Sequence, residues 1–276
     1  MSGVKDITVV RPTRGWRPLN LRELWHYRGL LYFLIWRDVK VRYKQTVLGV
    51  AWAVIQPVFM MIVFTLIFDR LAGLPSEGNP YPVFAFVALL PWNLFVRGLS
   101  DAGTSVVGNQ QLLTKIYFPR LILPASAVLA ALVDLLIAFG VLAGLLLYYG
   151  IMPSLALLAL PVFLVVAIIS AMGIGFWLSA VDARYRDVRH TIPFLTQLWF
   201  FATPVVYSMT LVPESWRWFY SLNPMVGVVE GFRWALLGGT HSFDPYLLIS
   251  MAVAVVMFIG GMFYFRRTER ILADVV

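Results

Sequence analysis

The stretch LILPASAVLAALVDLLIAFGVLAGLLLYY, Leu121 to Tyr149, holds one charged side chain, Asp134, in 29 residues. A helix needs roughly 20 predominantly apolar residues to cross the hydrocarbon core of a bilayer, so this stretch reads as a membrane span. Working outward, Leu48–Phe68, Tyr81–Leu99, Leu155–Val181 and Tyr246–Phe265 meet the same criterion. A sixth segment, Thr191–Leu211, is apolar but carries Thr196, Gln197 and Thr203. The expectation is an all-α integral membrane protein, a single domain over residues 1–276 with six transmembrane helices.

Composition agrees with that reading. Of 276 residues, 60% are hydrophobic and 13% charged, against roughly 45–50% and 25% in soluble domains. Too few charged side chains are present to cover a water-facing surface of this size. The chain has no cysteine, which excludes disulfides, thiolate metal sites and cysteine nucleophiles. Its three histidines, His26, His190 and His241, are too few and too scattered for a multi-histidine centre. No metal and no cofactor is expected in this chain.

The charges report topology. Nineteen of the 22 Lys and Arg fall on one predicted side, and Arg70, Arg217 and Arg233 on the other. By the positive-inside rule both termini are cytoplasmic, and the formal charge of +8 is a topology signal rather than a nucleic-acid footprint. The first 47 residues carry ten basic side chains before any long apolar run, unlike a cleavable signal peptide.

Three flanking segments complete the layout. In residues 20–46, Leu21, Leu24, Trp25, Tyr32, Ile35, Trp36 and Val39 recur at near-helical spacing, which predicts a helix lying in the membrane interface. Residues 101–118 predict a short helix on the basic side, capped by Ser100 or Asp101 and ended before Pro119. Residues 212–244 are rich in Trp, Tyr and Phe, and the apolar run Met225–Gly239 is too short to span. They read as an external loop that dips back into the membrane.

No GxxxxGK[ST], HExxH or GxSxG is present, so catalysis within this chain is poorly supported. Asp134 is the one acid in the middle of a span, either a functional group or a hydrogen-bonded contact between helices. Thr196, Phe200, Thr203, Tyr207 and Thr210 are spaced by four, three, four and three, and Trp52, Gln56 and Phe59 share a face of the first span. Aromatic rings beside amide and hydroxyl groups suit a sugar, which makes Trp52, Gln56, Phe59, Thr196, Phe200, Thr203 and Tyr207 candidate pathway residues. The competing reading is helix packing through Thr and Gln. Gly140 and Gly144, and Ala171, Gly175 and Ser179, mark small-residue faces, read as packing within the chain in preference to a dimer seam. Pro57, Pro91 and Pro204 are expected to kink their spans.

Five motifs carry a resemblance: RDVKVRYKQTVLGVAWAVIQP (Arg37–Pro57), NQQLLTKIYFPRLILP (Asn109–Pro124), ARYRDVRH (Ala183–His190), TPVVYS (Thr203–Ser208) and LNP (Leu222–Pro224). In this order they resemble ABC-2 type permeases that export lipid-linked polysaccharides, the O-antigen and teichoic-acid exporters.

The resemblance implies a homodimer in the bacterial inner membrane, paired with two copies of a cytosolic P-loop ATPase that binds the ATP and Mg. It implies that Asn109, Lys115, Tyr117 and Arg120, with Arg184 and Arg186, contact that ATPase. Arg37, Lys40, Arg42 and Lys44 become phosphate contacts for an entering lipid pyrophosphate, or else plain topology determinants. Trp216, Trp218, Tyr220 and Asn223 belong to an external gate. The rival readings are an ABC-2 permease for a drug or simple lipid, an integral membrane enzyme acting on lipid-linked sugars, and a secondary transporter.

Overall fold

A computed structural model describes residues 21–44, 49–152, 154–185, 187–238 and 245–275. Arg186 and the outermost parts of the expected interface helix and external loop lie outside the described residues. Among the described residues the chain is helical and has no strand. The helices are α1 (Leu21–His26), α2 (Arg28–Lys44), α3 (Ala51–Phe64), α4 (Tyr81–Gly108), α5 (Gln110–Lys115), α6 (Ile122–Tyr149), α7 (Leu160–Asp182), α8 (Val188–Phe201), α9 (Glu214–Tyr220), α10 (Pro224–Leu237) and α11 (Tyr246–Val275). α3 widens into a π-helical segment, Thr65–Leu71, and a 3₁₀ segment, Leu155–Ala159, leads into α7.

Five of these rods are long and apolar enough to cross a membrane: Ala51–Leu71, Tyr81–Gly108, Ile122–Tyr149, Leu155–Asp182 and Tyr246–Glu269. The centre of the bundle is α4, whose apolar stretch is 78% buried while the other four reach 33% at most. Val83 to Leu90 are buried without a break, so this helix shows protein on every side along its first two turns. Around it stand α3, α6, α7, α8 and α10, with α11 packed on α7 and α10.

Glycine sets the tightest crossing. A Cβ on Gly261 of α11 would lie 2.1 Å from the Gly173 carbonyl oxygen of α7, so only hydrogen fits there. Gly140 and Gly144 behave otherwise, because a Cβ at either meets nothing within 4 Å. They face away from the bundle, which corrects the expectation that this pair packs within the chain. Gly175 and Ser179 do sit inside it, Gly175 against Ala102 and Ser179 fully buried.

The expected span over 191–211 is not one helix. α8 stops at Phe201 after 14 residues, and the chain passes through an irregular turn to Ser208. Pro204 explains the stop: it lacks an N–H, and its ring disfavours helical geometry for Thr203. Pro57 and Pro91, by contrast, remain inside α3 and α4.

One other expectation changes. The span starting at Tyr81 runs unbroken to Gly108, so neither Ser100 nor Asp101 caps a separate helix; the short helix is α5. α2, expected to lie in the membrane interface, packs against α6. Leu34 of α2 packs with Phe118, Ile122 and Leu123 at the start of α6, and Arg42 reaches Asp134 farther along it. Phe118 is outside any helix, as Pro119 requires.

The chain reversals gather basic residues at one end of the bundle. α4, α7 and α11 finish there and α6 and α8 begin, with Lys115, Arg120, Arg184, Arg189, Arg266 and Arg267 on these segments. Val106, Leu121, Ala180 and Phe265 share one apolar cluster, and Arg120 donates to the Glu269 carbonyl oxygen at 3.0 Å. This is the basic end of the bundle.

Candidate functional site

Two polar networks organise the bundle. The first joins α2, α4 and α6. Arg42 Nη1 lies 2.5 Å from Asp134 Oδ2 and its Nη2 lies 2.6 Å from Asp101 Oδ2, so one guanidinium bridges two helices. Tyr43 donates its hydroxyl to Asp134 Oδ1, and Arg97 Nε stands 3.5 Å from Asp134 Oδ2. The fork of arginine suits this double duty, since its N–H groups are fixed in one plane. Two arginines meet two carboxylates, so their formal charges balance, with Arg42 and Asp134 the more enclosed pair and Arg97 and Asp101 the more open one. Burial, and then the hydrogen bond to Asp134, push the Tyr43 phenol above its ordinary range, so it stays a donor across the working pH range.

The second network closes the break after α8. A broken helix at membrane depth exposes backbone groups that must find partners inside the protein. Arg233 of α10, only 3% exposed, donates through Nη1 to the Pro204 carbonyl at 2.6 Å and the Tyr207 carbonyl at 3.2 Å. Its Nη2 donates to the Val205 carbonyl at 2.8 Å, and the Tyr81 hydroxyl donates to the Val206 carbonyl at 2.6 Å. Four successive carbonyls are thereby satisfied. Glu230 pairs with Arg233 at 2.8 Å, and the cation sits 3.6 Å from the Phe84 ring centre. Ser208 donates to Glu77, and Asn223 closes the other flank. Asn223 Oδ1 accepts from the α10 N–H of Met225 and from Trp199 Nε1, while Nδ2 donates to Thr203 Oγ1 at 2.9 Å.

The candidate residues divide between these networks and the open surface. Trp52, Gln56 and Phe59 lie together on the exposed face of α3. Thr196 is buried and its hydroxyl returns to the Ile192 and Pro193 carbonyls, while Thr203 is held by Trp199 and Asn223. Phe200 packs inward on Phe64 and Trp92, and Tyr207 donates to the Phe201 carbonyl. The regular face expected from Thr196 to Thr210 is interrupted because α8 ends at Phe201. The exposed face of α8 is instead Phe194, Leu195, Leu198 and Phe201.

Of the four basic candidates, Arg37 pairs with Asp38 at 2.8 Å and Lys40 sits 5.3 Å from the Trp36 ring centre. Lys44 is exposed, and Arg42 is taken up by its two carboxylates. At the basic end Lys115 and Tyr117 are exposed, Asn109 donates to the Ser105 carbonyl, and Arg184 lies over Tyr185. Beside them Arg189 grips the fully buried Asp182 with two 3.3 Å contacts. Trp216 and Trp218 are exposed on α9, and Tyr220 is half-buried and hydrogen-bonded to Tyr207.

The sequence profile of the ABC-2 type transporters matches residues 29–237, which takes in α2 through α10. The chain belongs to the ABC-2 type transporter family. It is 32% identical to the O-antigen export system permease protein RfbA of Myxococcus xanthus, covering 90% of this chain and 96% of that protein. It is 26% identical to RfbA of Klebsiella pneumoniae, covering 90% and 95%, and 27% identical to the polysialic acid transport protein KpsM of Escherichia coli, covering 87% and 94%. With its apolar rods, this ABC-2 chain is a multi-pass membrane protein.

Three residues of the ABC-2 chain escaped the sequence reading. Arg97 was counted only as a topology charge and Asp101 only as a possible helix cap, and Arg233 was counted among the charges outside the membrane. A signal for Arg233 did exist: an arginine with an acid three residues earlier inside an apolar run is the pattern of a paired, buried ion. Nothing local announces Arg97 or Asp101, because their partners lie on α2 and α6.

Proposed function

We propose that this chain is the transmembrane subunit of an ATP-driven exporter that carries lipid-linked polysaccharide of the O-antigen type across the bacterial inner membrane. The observation that carries the reading is the match, over about nine-tenths of the chain, to permeases named for O-antigen export and polysialic acid transport.

In this reading two copies of the chain pair with two copies of a separate ATPase, which binds ATP and Mg. The basic end faces the cytoplasm with both termini, as the charge asymmetry favours. The exposed Lys115 and Tyr117 after α5, together with the segment around Arg184, receive the ATPase. The rigid bodies they move are α4 and α6, to which α2 is tied through Arg42. α8 and the turn after it make the sixth passage, and α9 with α10 re-enters from the outer side. In favour of re-entry, Asn223, between α9 and α10, bonds Trp199, whose ring packs 5.2 Å from that of Phe95 at mid-length of α4. The exposed aromatic and amide face of α3 (Trp52, Gln56, Phe59) is the part of the expected pathway left open toward a second copy and a sugar chain.

The test is genetic and chemical together. Depleting the chain removes the polymer from the cell surface while lipid-linked polymer builds up inside, and a plasmid copy restores display. Surface polymer unchanged after depletion refutes the reading.

A further inference from the structure

We propose that Arg97 recognises a phosphate group carried by a membrane lipid, on an open polar strip of α4. The inference rests on the export reading only for the identity of that lipid, and it locates the anionic part of the substrate.

α4 is the most enclosed rod of the bundle, yet it opens toward the basic end along Asn93, Arg97, Ser100, Asp101 and Thr104. These positions fall on one helical face. The Arg97 side chain is 44% exposed. Its Nε, 3.5 Å from Asp134, anchors the root of the guanidinium, while Asp134 already has closer partners in Arg42 and Tyr43. Asn93 on the same strip takes no hydrogen-bond partner from the described residues, and neither does Gln56 of α3.

Gln56 belongs to the same level. Phe64 of α3 and Trp92 of α4 both pack on Phe200, and the two helices run in opposite directions. Eight residues from each, about 12 Å along the axis, bring Gln56 to the level of Ser100. Gln56 is thus an exposed amide at the level of the basic-end half of the α4 strip.

Depth selects the ligand. Asp134 lies fifteen residues, about 22 Å, from the end of α6 at Tyr149. A hydrocarbon core of about 30 Å measured from that end finishes within about 8 Å of Asp134, on the basic side. An arginine side chain spans that distance by extending toward the boundary. The anions fixed at that boundary are lipid phosphates, and the arginine fork matches phosphate oxygens in a paired geometry.

The experiment places the full chain in phosphatidylcholine nanodiscs and reads retained ligand by native mass spectrometry, with polyprenyl diphosphate, phosphatidylglycerol and inorganic phosphate as separate probes. Wild-type protein retains polyprenyl diphosphate. Arg97→Gln lowers retention about tenfold, the scale of one charge-assisted pair, and Arg97→Lys keeps part of it. Asn93→Asp, which leaves the Asp134 contact in place, lowers retention too and stands as the control if Arg97→Gln misfolds. Equal retention of phosphatidylglycerol, lost in the same variants, supports the site with ordinary phospholipid as occupant. Binding of inorganic phosphate alone overturns the membrane-borne part of the proposal. Unchanged retention in both variants overturns all of it, as does a disulfide between two copies of Asn93→Cys, which marks a subunit seam in a chain that has no other cysteine. Arg97-dependent retention without polymer export refutes the export reading and leaves this site standing.

Discussion

Arg42 and Asp134 are 92 residues apart in sequence and 2.5 Å apart in space, so the helix preceding the first span is tied to the middle of α6. Asp101 is held by the same guanidinium, so Arg42 alone spans three helices, beside the Tyr43 and Arg97 contacts to Asp134. Arg42→Gln removes the shared cation and leaves Asp101 and Asp134 in a partly enclosed site with only the longer contact from Arg97 to Asp134. The expected loss is about 3 kcal/mol of stability, the scale of breaking an enclosed ion pair. Thermal unfolding in detergent checks it, and the double variant Arg42→Gln with Asp134→Asn falls short of the sum of the two single losses.

Arg233→Lys tests the second network. A lysine ammonium is one point donor group and cannot serve the carbonyls of Pro204, Val205 and Tyr207 in one plane. The turn after α8 then has unsatisfied carbonyls, each costing about 1–3 kcal/mol when buried. Limited proteolysis is expected to open the 202–208 turn in the variant and not in the parent. Resistance equal to the parent contradicts the assignment.

Asn223 distinguishes a cap from a clasp. Asn223→Asp keeps the acceptor for Met225 N–H and Trp199 Nε1 and loses the donor to Thr203, whereas Asn223→Ala loses all of them. Alanine is expected to cost about 1–2 kcal/mol and aspartate less, read as the order of their melting temperatures.

How much of this was readable beforehand depends on the range of the interaction. Apolar length found α4, α6, α7 and α11, because crossing a bilayer is a local demand on one segment. The end of α8 was written in Pro204, but apolar content masked it and the segment was read as one continuous span. Asp134 stood out as a lone acid and Arg42 as a phosphate contact or topology determinant, but their pairing did not, since periodicity describes a helix and not its neighbour. The stripe from Thr196 to Tyr207 had regular spacing, but whether a threonine faces a pathway or bonds its own preceding turn depends on what packs beside it. Gly140 and Gly144 matched a packing motif, yet that motif does not say which partner fills it.

That pair yields a prediction in turn. Gly140→Ala and Gly144→Ala meet nothing within the chain, so the isolated protomer keeps or slightly gains stability, on the order of 0.5–1 kcal/mol. Gly261→Ala drives a methyl into the Gly173 backbone and is expected to disrupt the contact between α7 and α11. Melting curves of the three variants give that order; destabilisation by Gly140→Ala equal to that by Gly261→Ala contradicts it.

The most direct measurement is transport in proteoliposomes that hold this chain together with its ATPase. Lipid-linked polymer added on the ATPase side is expected to become inaccessible to a glycosidase on that side when ATP is supplied, and to remain accessible when either protein or ATP is left out. Protection that needs neither the ATPase nor ATP, or none with both present, contradicts the account.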